Sequence, residues 1–470
     1  MERASDKFLA KGGDVQLIAF MQGAEVSAFG PEQQSASGAM GCFEEEAGYT
    51  LFLKDLAEKG RAKKLQPKTN TILRESAGRG HGSVDDQNAF MYMLKKVTRA
   101  TTLFVCGPEY IAHLQQSLRR VSAKSAFFMP EPIVESKLVG DVKDVLFSGI
   151  ELYENMKENN VKTEDARIPL SLLTKTNDQL TLNARELKHL ISMCAGPGVP
   201  SYITSDVTNI GLETASVAPK LVEKMSNNYE VLQWFPSSQL YALENETLEN
   251  LISKEGNPLK TKLIDNSNFE MSEKALHKAI IERDEAELAN TKHMHYTFLA
   301  PMSLMSFHQA TRQRTWNQSV ESIYAAAERG IIVVPPSIKN SEYFDAFIEQ
   351  NQNQLNMYRE LVEEGVPKPE AIGVVPHSLM VYDILHVNGW NGVHSIAKRT
   401  CKEAQWEVRD VAVDIQRGII DKNPILGSYT APQGTRYGSC PERTPCPTFA
   451  KNNTCPTFKG TDPKIFHQLK

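Results

Sequence analysis

The sequence has few cysteines, no marked excess of either charge and no long apolar run. Seven cysteines among 470 residues are too few and too scattered for a disulfide framework. Lys and Arg number 52 against 57 Asp and Glu, which gives a formal net charge of −5. Without a dense basic run, neither a nucleic-acid surface nor a membrane surface is expected. No stretch reaches the roughly 18 apolar residues of a membrane span. We therefore expect a cytoplasmic protein that binds small molecules.

What the chain does have is enough length and apolar content, 41%, for more than one domain. From about Asn423 it becomes a Pro-, Gly- and Thr-rich tail, for which we predict neither helix nor strand. This tail holds Cys440, Cys446 and Cys455, each followed by Pro. Their spacing is wider than the tight cysteine pairs of most zinc sites. A zinc site and a loop-rich closing tail both stay open, and we assign no metal ligand.

A shift of 205 positions aligns one part of the chain with another. Residues 152–161, LYENMKENNV, align with residues 357–366, MYRELVEEGV, and without a gap Asn183 falls on Asn388. Two amphipathic helices of similar length, the second stopping at Gly365, would explain the first match alone. Because the register holds over about forty residues, a tandem duplication explains it better.

The duplication predicts two repeats followed by the tail. Each repeat starts with a strand-like run, residues 14–20 and residues 229–235, and continues with helical periodicity. This combination indicates an α+β fold. The predicted limits are 1–222 for the first repeat, 223–422 for the second and 423–470 for the tail.

Segments of both repeats resemble signatures of the flavin-dependent thymidylate synthases (ThyX), namely GHxSxxEH, RHRxxSxNExSxRY, EDAR, NxR and RxxxxAQWEIR. The matching segments are GHGS from Gly80, SLR from Ser117, EDAR from Glu164, NAR from Asn183, RQR from Arg312 and RTCKEAQWEVR from Arg399. The resemblance covers roughly residues 14 to 415. It implies two tandem ThyX-like domains, each a small sheet with a helical bundle, that form a pseudo-dimer.

The two repeats depart from these signatures in complementary ways. At five pairs of positions that lie 205 residues apart, one repeat keeps an arginine that the other lacks. The pairs are Arg312/Gly107, Arg314/Glu109, Arg399/Cys194, Arg167/Ile372 and Arg119/Tyr324. Independent decay would not sort the losses so cleanly. We therefore expect one composite site per chain, built from both repeats. A homodimer of the chain would then imitate the family's tetramer.

The resemblance also implies roles for individual residues. Arg399 is the catalytic candidate, because a permanent cation beside a uracil ring stabilises its N3-deprotonated, electron-rich form. Guanidinium groups suit a nucleotide phosphate. The expected substrate-binding residues are Gln309, Arg312, Gln115, Gln116, Ser117, Arg119 and Arg167. The expected cofactor-binding residues are His81, Ser83, Arg312, Gln313, Arg314, Asn183, Arg185, His189, Asn388 and His394. Any one arginine alone could be a surface salt bridge, His189 and His394 could equally be core histidines, and Trp406 is expected in the core.

The implied activity is reductive methylation of dUMP to dTMP, with methylenetetrahydrofolate as one-carbon donor, FAD as cofactor and NADPH as reductant. The Pro-Cys-His triplet of thiolate-dependent synthases is absent, and Cys106 is interpreted as a buried small residue. Two alternatives stay open. Departures such as Gln313 and Asn317 could indicate C5 modification of another pyrimidine nucleotide, such as hydroxymethylation. Alternatively, the chain could be a catalytically dead ThyX-like paralogue that binds a partner.

Overall fold

The computed structural model describes residues 13–24, 26, 29–118, 127–223, 237 and 239–470. The chain divides into two units: unit 1 is Met1–Lys143, Leu172–Ser237 and Leu361–Gly373, and unit 2 is Asp144–Ser171, Ser238–Glu360 and Val374–Lys470. Each unit therefore combines most of one repeat with a segment of the other. Across the described ranges, no helix has the length and apolar character that a membrane crossing requires.

Unit 1 contains a four-stranded antiparallel sheet. Its strands are β1 (Asp14–Phe20), β2 (Phe90–Thr98), β3 (Ala112–Gln115) and β4 (Lys175–Leu182), in the order β1-β2-β4-β3. β1 occupies the residues predicted for it. Burial alternates along most of β2, because successive side chains of a strand point to opposite faces of the sheet.

Helices precede, connect and follow the strands in the first half of the chain. They are α1 (Pro31–Met40), α2 (Gly48–Ala57), α3 (Lys59–Ala62), α4 (Leu65–Glu75), α5 (Gly82–Asp85), α6 (Arg99–Val105), α7 (Glu131–Val134), α8 (Val139–Glu158), α9 (Thr163–Ala166), α10 (Ala184–Met193), α11 (Ser201–Ala215) and α12 (Pro219–Val222). A 3-10 turn covers Ala77–Arg79. α11 packs against β1 and β2, so it covers one face of the sheet.

Unit 2 repeats the sheet and adds a two-stranded ribbon. The strands are β5 (Lys262–Asn266), β6 (His295–Ser303), β7 (Asn317–Val320), β8 (Ile331–Val333), β9 (Met380–Asn388) and β10 (Phe466–Gln468). The four-stranded sheet has the order β5-β6-β9-β7, and β8 pairs with β10. Read in chain order, both large sheets place their strands first, second, fourth, third.

The helices of the second half follow the same plan. They are α13 (Glu246–Lys254), α14 (Glu273–Ile280), α15 (Glu285–Asn290), α16 (Leu304–Ala310), α17 (Ile323–Arg329), α18 (Pro336–Lys339), α19 (Phe344–Glu363), α20 (Lys368–Ala371), α21 (Gly389–Asn391), α22 (Ala397–Arg399), α23 (Trp406–Lys422), α24 (Pro424–Tyr429), α25 (Gln433–Tyr437) and α26 (Pro447–Asn452). Gly392–Ile396 is a π-helical turn, and 3-10 turns cover Thr291–His293, Ile372–Val374 and Pro463–Ile465.

The structure confirms the tandem repeat element by element. The elements β2, α6, β3, α7, α8 and α9 begin and end 205 residues before β6, α16, β7, α18, α19 and α20. The long helices α8 and α19 also end alike, since Asn160 and Gly365, which follow them, both have the positive φ typical of the residue after a helix. Within unit 2, the amide of Gln350 in α19 donates to the carbonyl of Val145 in α8 at 2.9 Å, a contact between equivalent positions.

Two expectations about elements need comment. The prediction of a tail without helix or strand is wrong, since α24, α25, α26 and β10 lie there. Prolines begin α24 and α26, because proline is well tolerated in the first turn of a helix. The strand-like run at residues 229–235 lies outside the described residues. The strand that pairs with β6 as β1 pairs with β2 is β5, so β5 is the counterpart of β1.

A hydrophobic cluster joins the sheet of unit 2 to its ribbon and helices. Its buried members are Leu248, Ile252, Leu299, Val333, Met380, Tyr382, Trp406 and Ile465. The expectation that Trp406 belongs to the core is confirmed. Because Trp406 is the first residue of α23, this cluster fixes where that helix starts.

Candidate active site

The catalytic candidate Arg399 contacts Gln313 within unit 2. With the Gln313 amide oriented for this contact, its oxygen accepts hydrogen bonds from Nη2 of Arg399 at 2.5 Å and from Nε at 3.0 Å. Gln313 follows α16, and Arg399 ends α22. Both side chains are half-buried. The contact fixes the direction of the planar guanidinium group, so Gln313 acts as a positioning residue for Arg399.

Two further hydrogen bonds join the turn after α16 to the segment that leads to Arg399. Asn391 donates from Nδ2 to the carbonyl oxygen of Thr315 at 2.6 Å. The indole Nε1 of Trp316 donates to Oγ of Ser395 at 2.7 Å. Asn388 starts this segment as a helix cap, because its side chain accepts from the backbone N of Asn391. The predicted cofactor residue Asn388 thus has a structural role beside the site.

The π-helical turn Gly392–Ile396 distinguishes this segment from its counterpart in unit 1. There the equivalent residues lie inside the uninterrupted helix α10. A π turn holds an extra residue and changes the direction of the side chains that follow it. Arg399 follows the π turn, whereas its counterpart Cys194 caps α10 with a thiol whose pKa burial raises to about 12. The two units therefore present different groups at one position of the repeat.

Arg312 and Arg314 lie in the same turn as Gln313. Both side chains are exposed, and neither forms an ion pair with any residue that the structure describes. The nearby Gln309, on α16, is half-buried and donates to the carbonyl of Met305 over 3.4 Å. Arginines without a local carboxylate are suited to an anionic ligand. The turn after α16 therefore offers two cations that flank Gln313, the residue in contact with Arg399.

The EDAR segment of the first repeat belongs to unit 2. Its Asp165 accepts hydrogen bonds from Nε1 of Trp406 at 2.8 Å and from Oγ of Ser337 at 2.6 Å. Burial raises the pKa of Asp165, and these two hydrogen bonds oppose that rise. Arg167, two residues further on, is buried. Since Trp406 begins the helix that follows Arg399, Asp165 links the Arg167 segment to the Arg399 segment.

Glu407 fixes α23 to the start of α16. Its carboxylate accepts from the backbone N and from Oγ of Ser303, both at 2.6 Å. Ser303 in turn caps α16, because its Oγ accepts from the backbone N of Ser306. Burial raises the pKa of Glu407 to about 7. The helix that carries Gln309 and leads to Arg312 is thereby positioned by the AQWE motif.

Three residues of the AQWE motif position neighbouring elements of unit 2. Gln405 caps α23, because its Oε1 accepts from the backbone N of Val408. Trp406 binds Asp165, and Glu407 binds Ser303. Sequence reasoning did not assign these contacts, although the signature that contains the residues was recognised.

In unit 1, the GHGS and NAR segments lie together. Asp86 accepts hydrogen bonds from Nδ2 of Asn183 and from Nη1 of Arg185, both at 3.0 Å. A Cβ at Gly82 would lie 3.1 Å from Nε of Arg185, so this close approach favours glycine. His81 flanks Gly82 and, like Ser83, is exposed. The four predicted cofactor residues His81, Ser83, Asn183 and Arg185 therefore form one surface cluster.

The predicted substrate residues of unit 1 surround the end of β3. Gln115 donates from Nε2 to Oγ1 of Thr102 at 2.7 Å, and Oε1 of Gln116 accepts from Asn177 at 3.2 Å. Ser117 is half-buried. Arg119 lies outside the described residues. The counterpart of the SLR segment in unit 2 has become structural: Ser322 caps α17, and Tyr324 is buried.

The two equivalent histidines differ in environment. His189 is buried, with Nδ1 3.7 Å from a carboxylate oxygen of Glu186, as expected for a core histidine. His394 is exposed and stacks on Trp390, with ring centroids 5.5 Å apart. It lines a cavity of about 380 Å³ in unit 2 together with Arg283, Arg436 and others. Burial, with Lys398 and Arg436 nearby, lowers the pKa of His394.

The family model described as thymidylate synthase complementing protein matches residues 26–220 and again residues 239–425. The chain belongs to this family. Both repeats are thus copies of the family's domain, and the α+β fold is confirmed.

Relatives of this family carry a functional name. The flavin-dependent thymidylate synthase of Geobacter sulfurreducens is 31% identical over 156 residues, which cover 32% of this chain and 67% of that protein. That of Pyrococcus furiosus is 26% identical over 163 residues, with the same coverage of both chains. A crystal structure of a UMP/dUMP methylase from Streptomyces cacaoi, bound with 5-Br dUMP, shows 15% identity and a TM-score of 0.37 over 46% of this chain and 95% of that chain.

Proposed function

We propose that the chain is a flavin-dependent thymidylate synthase. It methylates dUMP to dTMP reductively, with methylenetetrahydrofolate as one-carbon donor, FAD as cofactor and NADPH as reductant. Membership of the family and the names of its relatives support this proposal. The reaction takes place at a composite site, to which both repeats contribute arginines.

The observation that carries the composite site is the arginine content of unit 2. The first repeat supplies Arg167, and the second supplies Arg312, Arg314 and Arg399. Arg399, oriented by Gln313, stabilises the negative charge of an electron-rich uracil ring. A preoriented cation in a water-poor site contributes about 3 to 4 kcal/mol of such stabilisation. Arg312 and Arg167 hold the nucleotide phosphate through charge-assisted hydrogen bonds.

Residues of both units suit the flavin. Arg314 has no described ion-pair partner and is free to meet a pyrophosphate. His394, stacked on Trp390, presents an aromatic surface beside a cavity. Within unit 2, we assign FAD binding to these residues with Gln313. Within unit 1, the family signatures assign the same role to the surface cluster of His81, Ser83, Asn183 and Arg185. A bound, reduced flavin supplies the methylene and hydride transfer that the reaction needs.

The decisive experiment measures flavin content and product together. The purified full-length protein is examined by visible absorption, released flavin is quantified per chain, and dUMP is titrated in. We expect about one FAD per chain with a spectrum that dUMP perturbs. Incubation with methylenetetrahydrofolate and NADPH should then give dTMP, identified by mass spectrometry.

Each other outcome contradicts a defined part of the proposal. Two FAD per chain would mean that both copies of the site survive. A product other than dTMP, such as a hydroxymethylated nucleotide, would retain the flavin site and overturn the assigned reaction. A protein without flavin that takes up none would be a binding paralogue. The proposed homodimer is checked by light scattering, where a monomer of 52.5 kDa would contradict it.

A further inference from the structure

Three side chains of unit 1 bring a sulfur, a nitrogen and an oxygen ligand together. One ligand atom each from Cys106, His113 and Asp178 lies within 4.8 Å of the other two. Cys106 and Asp178 are almost completely buried, and His113 is half-buried. The residues come from the end of α6, the edge strand β3 and the inner strand β4. None of them belongs to the predicted substrate or cofactor set.

The strand register explains why these groups meet. In the pairing of β3 with β4, Gln115 lies opposite Asp178 and His113 opposite Leu180. Side chains two residues apart on a strand share a face, so His113 reaches Asp178 diagonally. Cys106 follows α6, which packs on β2 and β4. The three groups thus join a helix end to both strands at one edge of the sheet.

Unit 2 has different residues at two of the three equivalent positions. The counterparts of Cys106, His113 and Asp178 are Thr311, Gln318 and Asp383. Nε2 of Gln318 donates to Asp383 at 2.8 Å, which satisfies that buried carboxyl group directly. Only the aspartate is common to both repeats. The two other positions differ together, from a non-ligating pair in unit 2 to thiol and imidazole in unit 1.

The negative charge at the shared aspartate position can be neutralised in two ways, by protonation in unit 2 and by a bound cation in unit 1. Complete burial raises the pKa of Asp383 to about 8, so that group is protonated and neutral at pH 7. In unit 1, zinc binding would deprotonate the thiol of Cys106, and the thiolate and carboxylate would then supply two negative charges that the divalent cation cancels. Buried charge is stable only when it is compensated in this way.

We propose that Cys106, His113 and Asp178 bind one zinc ion, which anchors β3 to α6 and β4. Zinc accepts sulfur, imidazole nitrogen and carboxylate oxygen as ligands, and three protein ligands leave a fourth position for water. Because His113 is half-buried, a water molecule can reach that position. None of its ligands is an expected substrate or cofactor residue, so we assign the zinc ion a structural role within unit 1. It is independent of the proposed methylation.

The experiment measures zinc in the full-length protein, purified without chelators and dialysed. We expect about one zinc per chain by elemental analysis, and X-ray absorption at the zinc edge should show a single sulfur ligand. The double variant Cys106→Thr/His113→Gln carries the residues of unit 2, so it should fold, satisfy Asp178 with an amide and contain no zinc.

A matched control excludes the other cysteines. The variant Cys440→Ser/Cys446→Ser/Cys455→Ser removes the tail thiols and should keep its zinc. The proposal is overturned if the wild-type protein contains no zinc and takes none up from added Zn²⁺. It is overturned equally if the double variant keeps the metal or if the tail variant loses it. Circular dichroism of each variant shows whether a loss of zinc reflects the site or a failure to fold.

Discussion

Unit 1 and unit 2 have the same strand order but opposite arginine content. Unit 2 carries Arg167, Arg312, Arg314 and Arg399, and unit 1 carries at the four equivalent positions Ile372, Gly107, Glu109 and Cys194. When the four positions are grouped by repeat, each repeat keeps some of the arginines and lacks others. Sorted by unit, these four are uniform, because the Arg167 segment of the first repeat belongs to unit 2 and the Ile372 segment of the second belongs to unit 1.

This difference teaches that the exchange of segments, rather than the repeat, defines where these four arginines are retained. A duplicated enzyme that forms two equivalent sites can lose one without penalty. The arginines of the lost site then disappear from both repeats, at whichever positions contribute to that site. The Arg119/Tyr324 pair does not follow this sorting, since unit 2 carries Tyr324 rather than an arginine at that position; Arg119 itself lies outside the described residues.

The largest expected effect separates Arg399 from its counterpart. Arg399→Ala removes the cation that we place at the uracil ring, and turnover should fall about a thousandfold. Cys194→Ala, the matched change in unit 1, should leave turnover within about twofold. Steady-state rates of dTMP formation measure both. Equal losses in the two variants would show that both units are catalytic.

The next effect concerns the exchanged segment. Arg167→Ala should weaken dUMP binding about tenfold to a hundredfold, because a charge-assisted hydrogen bond contributes about 1.5 to 3 kcal/mol. Ile372→Ala is the matched change in unit 1. Isothermal titration calorimetry with dUMP measures the affinity of each. Unchanged affinity in a folded Arg167→Ala protein would remove Arg167 from the site.

A smaller effect tests how the exchanged segments are held. In unit 2, Asp165 accepts from the side chain of Trp406, and in unit 1 the equivalent Glu370 accepts from the backbone N of Ser201. Trp406→Phe keeps an aromatic ring, although a smaller one, and removes the donor, so the free energy of unfolding should fall by about 1 to 3 kcal/mol. Ser201→Ala keeps its backbone donor and should change it much less. Urea denaturation compares them, and similar losses would contradict the assigned contacts.

The smallest effect depends on pH. The folded chain keeps Asp383 protonated up to about pH 8, whereas the unfolded chain releases that proton near pH 3.8. The contribution of Asp383 to stability is therefore present at low pH and falls as pH rises towards 8. Asp383→Asn removes this loss and retains an oxygen for Gln318. At pH 8 the free energy of unfolding of the variant should exceed that of the wild type by about 1 kcal/mol or more.

At pH 4 this advantage should disappear, which urea denaturation at the two pH values checks. The matched change in unit 1, Asp178→Asn, should have the opposite sign, because it removes a proposed zinc ligand. Stabilisation by both substitutions would show that the two aspartates have the same role.

Much of the fold could be predicted, because it depends on local patterns. β1 lies at its predicted residues, and α19 ends before Gly365. The register of 205 could be read from the sequence because the two copies still share helix-forming and capping residues, such as Asn183 and Asn388. The core position of Trp406 was also anticipated.

The rest depends on contacts that no local pattern encodes. The hydrogen bond between Asp165 and Trp406 joins residues 241 positions apart. Arg399, which contacts Gln313, follows a π turn that sequence periodicity did not reveal. The short tail helices were missed because their prolines were taken to break helices rather than to begin them.

The exchange of segments also has a consequence for synthesis of the protein. Unit 1 contains Leu361–Gly373, so the ribosome must translate most of the chain before that unit has all its parts. A nascent first repeat that emerges alone would expose the surface that this segment covers. It would then bind chaperones or stay incompletely folded until the segment has been synthesised. Cutting the gene between the repeats should therefore yield two fragments that are poorly stable alone and that recover structure when they are co-expressed.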